Sequence, residues 1–289
     1  MNITDRYLLR ITCPGRTGLV AAITGFLADQ DCFITELSQF DDIQTGQFFC
    51  RAEFCKPESG LTPEQFSNRF STIGERFEMD WKFIDPSVPH RTLILVSKFD
   101  HCLNDLLYRK QTGELNIDVT TVASNHPDLE PLARFHQVPF EVLPARRSKL
   151  STKAAQEERI CDLIEEQGVD LVVLARYMQV LSNELCQDLA GRCINIHHSF
   201  LPSFKGARPY HQAYERGVKA IGATAHYVTI DLDEGPIIDQ EVARVDHTYG
   251  PDQLLATGRN MENYALSRAV KAHSEHRVFL NGHKTVVLK

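Results

Sequence analysis

Leu93-Ile94-Leu95-Val96-Ser97-Lys98-Phe99-Asp100-His101-Cys102 decides how the larger part of this chain folds. An unbroken apolar run that ends abruptly in polar residues reads as a strand buried on both faces and feeding a helix, the opening of a βαβ unit. The chain then repeats the theme. A helix from about His101 leads to a strand at Ile117 to Ala123, a helix near Leu129 to His136 to a strand at Phe140 to Val142. A helix over Thr152 to Gln167 leads to strands at Leu171 to Leu174 and Cys193 to His197. Strands alternating with helices predict an α/β domain with a doubly wound, mainly parallel sheet, whose ligand lies beyond the carboxyl ends of the strands. The turn after Val96 also excludes something. Ser97 to Cys102 contains no glycine and carries Asp100, so a dinucleotide pyrophosphate finds no close backbone approach there. No GxxxxGK[ST] occurs either, which sets aside P-loop enzymes along with dehydrogenases.

Downstream, Ala223 to Val228 and Ile237 to Val245 are extended runs separated only by the turn-rich Asp231-Leu232-Asp233-Glu234-Gly235-Pro236, so they predict an antiparallel pair. A long helix over Pro251 to His276 follows, then a terminal hairpin over Val278 to Val287 with Asn281-Gly282 at its turn. Upstream, Asp85-Pro86-Ser87-Val88-Pro89-His90 is the best linker, because each proline biases its predecessor to extended geometry. It divides the chain into residues 1–85 and 91–289. The first part reads as βαββαβ: a strand at Tyr7 to Thr12, a helix carrying Leu19, Ile23, Phe26 and Leu27, and strands around Cys32 to Phe40 and Gln47 to Cys55. A helix opened by Pro63 and a strand at Met79 to Ile84 complete it.

A length of 289 residues fits two domains, and 43% hydrophobic with 24% charged residues is ordinary for a globular chain. A net charge of −7 with acids and bases interspersed argues against a nucleic-acid surface. Met1 to Arg6 lacks the features of a signal peptide and no apolar run would span a bilayer, so a cytoplasmic protein is expected. Cys13, Cys32, Cys50, Cys55, Cys102, Cys161, Cys186 and Cys193 show no CxxC spacing and read as reduced core residues.

The chemistry is expected where Asn195-Ile196-His197 ends its strand. Residues two apart project from one face, so an amide and an imidazole enter the crevice together, and the turn carrying Asp233 can bring a carboxylate to them. Asn and His donors suit a developing oxyanion, and a carboxylate can manage a proton of attacking water. Taken alone, each motif is an ordinary capping or turn composition. Their joint presence in this order carries the functional reading.

Asn195-Ile196-His197-His198-Ser199-Phe200-Leu201-Pro202-Ser203-Phe204-Lys205-Gly206, Gly222 to Val228 and Leu232 to Ile238 together resemble the formyltransferase family of folate enzymes. The N-terminal βαββαβ unit resembles an ACT domain. His197 to Pro202 and Gly206 to Ala213 favour the deformylase branch over the transferases. The resemblance implies an ACT-like domain followed by a Rossmann-like formyltransferase domain. It further implies hydrolysis of 10-formyltetrahydrofolate to formate and tetrahydrofolate, supplying formate for purine synthesis and balancing the one-carbon folate pool. The implied catalytic residues are Asn195, His197 and Asp233 with His226 in support. Tyr177, Met178, Gln179, Val180 and Leu181 would line the pterin pocket together with backbone near Asp233, including Gly235. Transferase relatives carry a glycine- and asparagine-rich phosphate loop where Ser97 to His101 stand here, so water replaces an amine acceptor. No metal or redox cofactor is expected, tetrahydrofolate being substrate or product.

ACT-like modules often bind amino acids at the turn that is here Cys13 to Gly18, and many relatives carry Asp where Gly15 stands. An amino-acid effector is therefore in question, and joining of subunits into a dimer or tetramer is an equal expectation. Three rival functions are an amine-directed formyltransferase, a metallohydrolase using His197, His198, His211 and His226, and a non-catalytic sensor. Adjacent histidines on a strand should face opposite sides, which weighs against the metal reading.

Overall fold

Strand β1 (Arg6–Pro14) turns Leu9, Ile11 and Cys13 toward one face, and helix α1 (Leu19–Asp29) returns Leu19, Ile23, Phe26 and Leu27 against them. Gly18, with φ of 91°, lets the chain turn directly into α1. Strands β2 (Phe33–Asp42) and β3 (Gln47–Cys55) follow. Helix α2 (Pro63–Arg76) starts at a capping box in which Thr62 Oγ1 accepts from Gln65 N and Gln65 Oε1 accepts from Thr62 N. With β4 (Asp80–Ile84) the strands form an antiparallel sheet of order β2-β3-β1-β4, and Phe26, Phe66 and Phe70 pack edge and face between helices and sheet. The structure, a computed structural model, describes residues 6–55, 62–143, 153–201 and 209–289.

The second part runs β5 (His90–Val96), α3 (His101–Gln111), β6 (Ile117–Ser124), α4 (Glu130–Phe135), β7 (Phe140–Val142), α5 (Lys153–Glu166), β8 (Leu171–Leu174), α6 (Asn183–Asp188), β9 (Cys193–His197), α7 (Pro209–Arg216), β10 (Ala220–Tyr227), β11 (Ile237–Arg244) and α8 (Pro251–Ser274). Its sheet has the order β11-β10-β9-β8-β5-β6-β7. The pairs from β9 through β7 are parallel, while β10 pairs antiparallel with both β9 and β11. Leu93 to Val96 and Leu171 to Val173 are fully buried, as continuous apolar strands covered on both faces must be. Two short helices, α6 and α7, have no counterpart in the sequence reading. Ser182 caps α6 by accepting from Leu185 N, and this fixes Ala175 to Leu181 as a loop.

The terminal hairpin, β12 (Val278–Asn281) and β13 (Lys284–Val287), turns at Gly282, whose φ is 61°. The sequence reading counts it with the second domain. The chain instead divides into one unit of Met1–Val88 with Glu275–Lys289 and another of Pro89–Ser274. The hairpin covers the β1–β3 face that α1 and α2 leave open. Phe279 packs edge-on against Phe49 at 5.6 Å, Arg10 lies 4.0 Å over the Phe279 ring, and buried Arg51 donates to the Glu275 carbonyl at 3.1 Å. Among the described residues no helix is long and apolar enough to cross a membrane. The eight cysteines are free, and seven of them are buried.

Candidate active site

Sheet register builds the centre of the site. Asn195 on β9 is directly opposite His226 on β10, and Asn195 Nδ2 lies 3.2 Å from His226 Nε2. His226 Nδ1 is 2.9 Å from the Tyr227 carbonyl, which can only accept, so Nδ1 carries the proton and Nε2 offers its lone pair to the Asn195 amide. His197, two residues along β9, places Nδ1 3.2 Å from Asp233 Oδ2. The second Asp233 oxygen is 3.8 Å from His226 Nε2. His197 Nε2 is buried and has no hydrogen-bond partner among the described residues.

Asp233 reaches this position because its loop folds back over β10. Its own φ is 58°, a left-handed conformation that Asp tolerates better than most residues. Gly235 makes the return close: a Cβ there would collide with the Tyr227 carbonyl and crowd the His226 ring. Burial works to raise the Asp233 carboxyl, but the hydrogen bond from His197 Nδ1 and the positive charge that His197 or His226 would carry once protonated outweigh it and hold the group well below the usual carboxylate range. The site thus contains a firmly ionised carboxylate held by His197, with the His226 imidazole beside it.

The cavity beside these groups is lined by Leu174, Arg176, the run Tyr177 to Leu181, Asn195 to His198, His226 and Val228 to Asp233. Tyr177, Met178, Gln179, Val180 and Leu181 are all in its wall, with Tyr177 and Leu181 buried, and Met178 and Val180 more than half exposed. Taken without the resemblance, Met178, Val180 and Leu181 read equally well as the core of a helix start. The chain forms a loop there, with two apolar side chains facing open space. Gly235 is not part of the wall; it sits behind His226 as a spacer.

His198 corrects an expectation. The strand stops at His197, so strict alternation ends there, and His198 also borders the cavity with its ring 5.2 Å from that of His197. His197 and His198 therefore need not diverge. The metal reading meets a different obstacle: His226 has both ring nitrogens engaged and His197 Nδ1 faces Asp233. Of the other motif residues, Pro202 to Arg208 and the His211 side chain lie outside the described residues.

Arg176 and the apolar Ile230 and Leu232 were not singled out from sequence, although both apolar residues are more than half exposed in the Asp233 loop. Exposed apolar residues inside a polar turn were the available signal. Among the described residues, His101, Cys102 and Glu262 have potential metal-ligand atoms within 4.8 Å of one another. Arg176 Nε stands 3.3 Å from the same Glu262 carboxylate, and burial holds the Cys102 thiol well above its usual range. The carboxylate there already has a cation.

A family model described as formyl transferase matches residues 90–270. The formyltetrahydrofolate deformylase of Corynebacterium sp. (strain P-1) is 50% identical, with 100% of both chains covered. The solved formyltetrahydrofolate deformylase of Burkholderia mallei ATCC 23344 superposes with a TM-score of 0.92 at 52% identity, over 99% of this chain and 100% of that one. The Pseudomonas putida KT2440 deformylase structure gives a TM-score of 0.92 at 50% identity, over 98% of this chain and 100% of that one.

Proposed function

The chain belongs to the formyltetrahydrofolate deformylase family within the formyl transferases, and from that premise we propose that it hydrolyses 10-formyltetrahydrofolate to formate and tetrahydrofolate at the Asn195–His197–Asp233 cluster. The observation that carries the reading is His197, with Nδ1 on an ionised carboxylate and Nε2 unpartnered beside the cavity.

The chemistry follows from who is able to hold a proton. Asp233 is too firmly ionised to be an effective base itself, so its part is to orient His197 and stabilise the imidazolium. His197 Nε2 takes a proton from water as the oxygen attacks the formyl carbon. The Asn195 amide, with one N–H on His226, donates its other to the oxyanion. The imidazolium then returns its proton to the folate nitrogen as the C–N bond breaks, leaving formic acid, which ionises in solution, and tetrahydrofolate. The proton inventory closes on His197 and water, so the reaction is assigned no metal or redox cofactor. The loop Tyr177 to Leu181, with Met178 and Val180 offering apolar surface, would hold the pterin. Formate so released would feed purine synthesis and balance the one-carbon pool in the cytoplasm.

The first unit, with strand order β2-β3-β1-β4, fits an ACT-type module serving assembly or regulation. Asp41 lies against Gly15, so a carboxylate is present at the turn where Gly15 itself offers none. Isothermal titration with small amino acids separates an effector site from an assembly role, and light scattering reads the homo-oligomer expected in either case.

A coupled formate assay on 10-formyltetrahydrofolate, run without any amine acceptor and repeated after chelation, tests the main reading. Sustained formate release in both runs supports it. Turnover only on adding an amine would make the enzyme a transferase, and loss on chelation would restore the metallohydrolase.

A further inference from the structure

In the seven-stranded sheet the chain order reverses between β5 and β8, and open α/β sheets receive ligands beyond the carboxyl ends of such a pair. Two segments leave the sheet there side by side. After β5 comes Ser97, which is buried; after β8 comes the loop Ala175 to Leu181, with Met178 and Val180 exposed at the cavity. Both ends of this loop are tied down through the backbone. Ala175 N donates to the Leu95 carbonyl at 2.9 Å, extending the parallel ladder by one residue, and Ser182 N donates to Glu157 Oε1 at 2.7 Å where α6 begins. Between them, Met178 N donates to Ser97 Oγ at 3.0 Å.

This middle bond is specified by more than proximity. A serine hydroxyl has one proton, and Ser97 gives it to Asn125 Oδ1, just beyond β6, at 2.7 Å. The Ser97 lone pairs are thereby left to face Met178 N. The bond also follows a strained residue by two positions. Arg176 has a φ of 64°, a left-handed conformation that a long side chain holds only where its surroundings impose it. An N–H held at Ser97 supplies such a constraint, because relaxation of Arg176 to negative φ would swing the Met178 peptide away from β5. Ser97 itself is not part of the cavity wall, so whatever it does for a ligand it does through this loop.

We propose that Ser97 is a positioning residue for folate binding: its hydroxyl, oriented by Asn125, holds the segment from Arg176 to Val180 in the conformation that presents Met178 and Val180 to the pterin. The chemical step at Asn195, His197 and Asp233 makes no use of it, so its removal shows in affinity rather than in turnover. The inference rests on the reading of Tyr177 to Leu181 as the pterin wall.

The test compares Ser97→Ala, Ser97→Thr and Asn125→Ala with the wild type, and Val180→Ala probes the wall directly. Tetrahydrofolate binding is read by fluorescence titration, kcat and KM by formate release, and the loop itself by hydrogen exchange over residues 175–182. Ser97→Ala leaves a backbone donor without its partner, so Kd and KM should rise about tenfold or more while kcat stays within about twofold. Exchange in the loop should accelerate. Ser97→Thr keeps the hydroxyl and should restore affinity. Asn125→Ala leaves that hydroxyl unoriented and should show the same changes in smaller measure, which keeps the test open where Ser97→Ala fails to fold. Unchanged affinity or unchanged loop exchange in the folded variants, a kcat that falls as far as affinity does, or a Ser97→Thr as weak as Ser97→Ala would each overturn the proposal. Undiminished binding by Val180→Ala would remove the pterin-wall reading and the proposal with it, whereas weakened Val180→Ala beside an unaffected Ser97→Ala would remove the proposal alone. A wild type that releases no formate would defeat the hydrolytic reading, and the titration and the exchange would still decide the role of Ser97.

Discussion

Asp233 sits at a positive φ, and asparagine accepts that conformation as readily, so Asp233→Asn removes the charge without disturbing the loop. Turnover should fall by roughly 10³–10⁴ while folate binding, measured by fluorescence titration, changes little. Near-normal turnover would dissolve the His197–Asp233 pair as a functional unit. Asn195→Ala removes one oxyanion donor and should cost about 10²–10³ in kcat, again with KM nearly constant. His198 gives a different readout. Burial, then the nearby Arg176, pushes its imidazole down from the usual 6.5 to about 4. Between those values the unfolded chain takes up a proton that the folded chain refuses, so stability falls as the pH drops from 6.5 to 4. Asp233, depressed below its ordinary 3.8, adds a further loss at more acid pH. Urea midpoints across the upper window should decline less steeply in His198→Gln, and an unchanged slope would mean that His198 does not set it.

At the scale of elements, the glycines of the site are spacers. Gly235→Ala forces the Asp233 loop off β10 and should reduce kcat more than it raises KM, because the carboxylate moves while the Tyr177 to Leu181 side of the cavity stays in place. Gly258→Ala reverses an ordinary rule. Alanine in a helix usually stabilises, yet here it overlaps the Tyr210 ring, so a loss of about 1–3 kcal/mol is expected in thermal or urea unfolding. Much of this level was legible in the sequence. Alternation on β9 placed Asn195 and His197 together, and the lack of any helix between Ala223 and Val245 announced the β10–β11 pair. Two things were hidden. Where β9 stops decides the direction of His198, and a strand's end is set by its neighbours' hydrogen bonds rather than by its own pattern. Glu262 looks like any helix-surface acid until the fold brings His101, Arg176 and Tyr210 around it from three distant segments.

At the scale of the whole molecule, the linker near Pro86 and Pro89 was readable, and so was the hairpin announced by Asn281-Gly282. Its destination was not, because a turn signal is local and says nothing of which sheet face the hairpin covers. Phe279, fully buried against Phe49, measures that docking. Phe279→Ala should destabilise the first unit by about 3–5 kcal/mol in calorimetry. Since that unit draws on segments from both sides of the α/β unit, a growing chain emerging from the ribosome holds one face of the β1–β4 sheet uncovered until Glu275–Lys289 are made. Translation must therefore deliver the entire intervening α/β unit before the first-made strands acquire their final cover. A message cut short just after the Ser274 codon should yield a protein in which the β1–β4 sheet, rather than the α/β unit, misfolds.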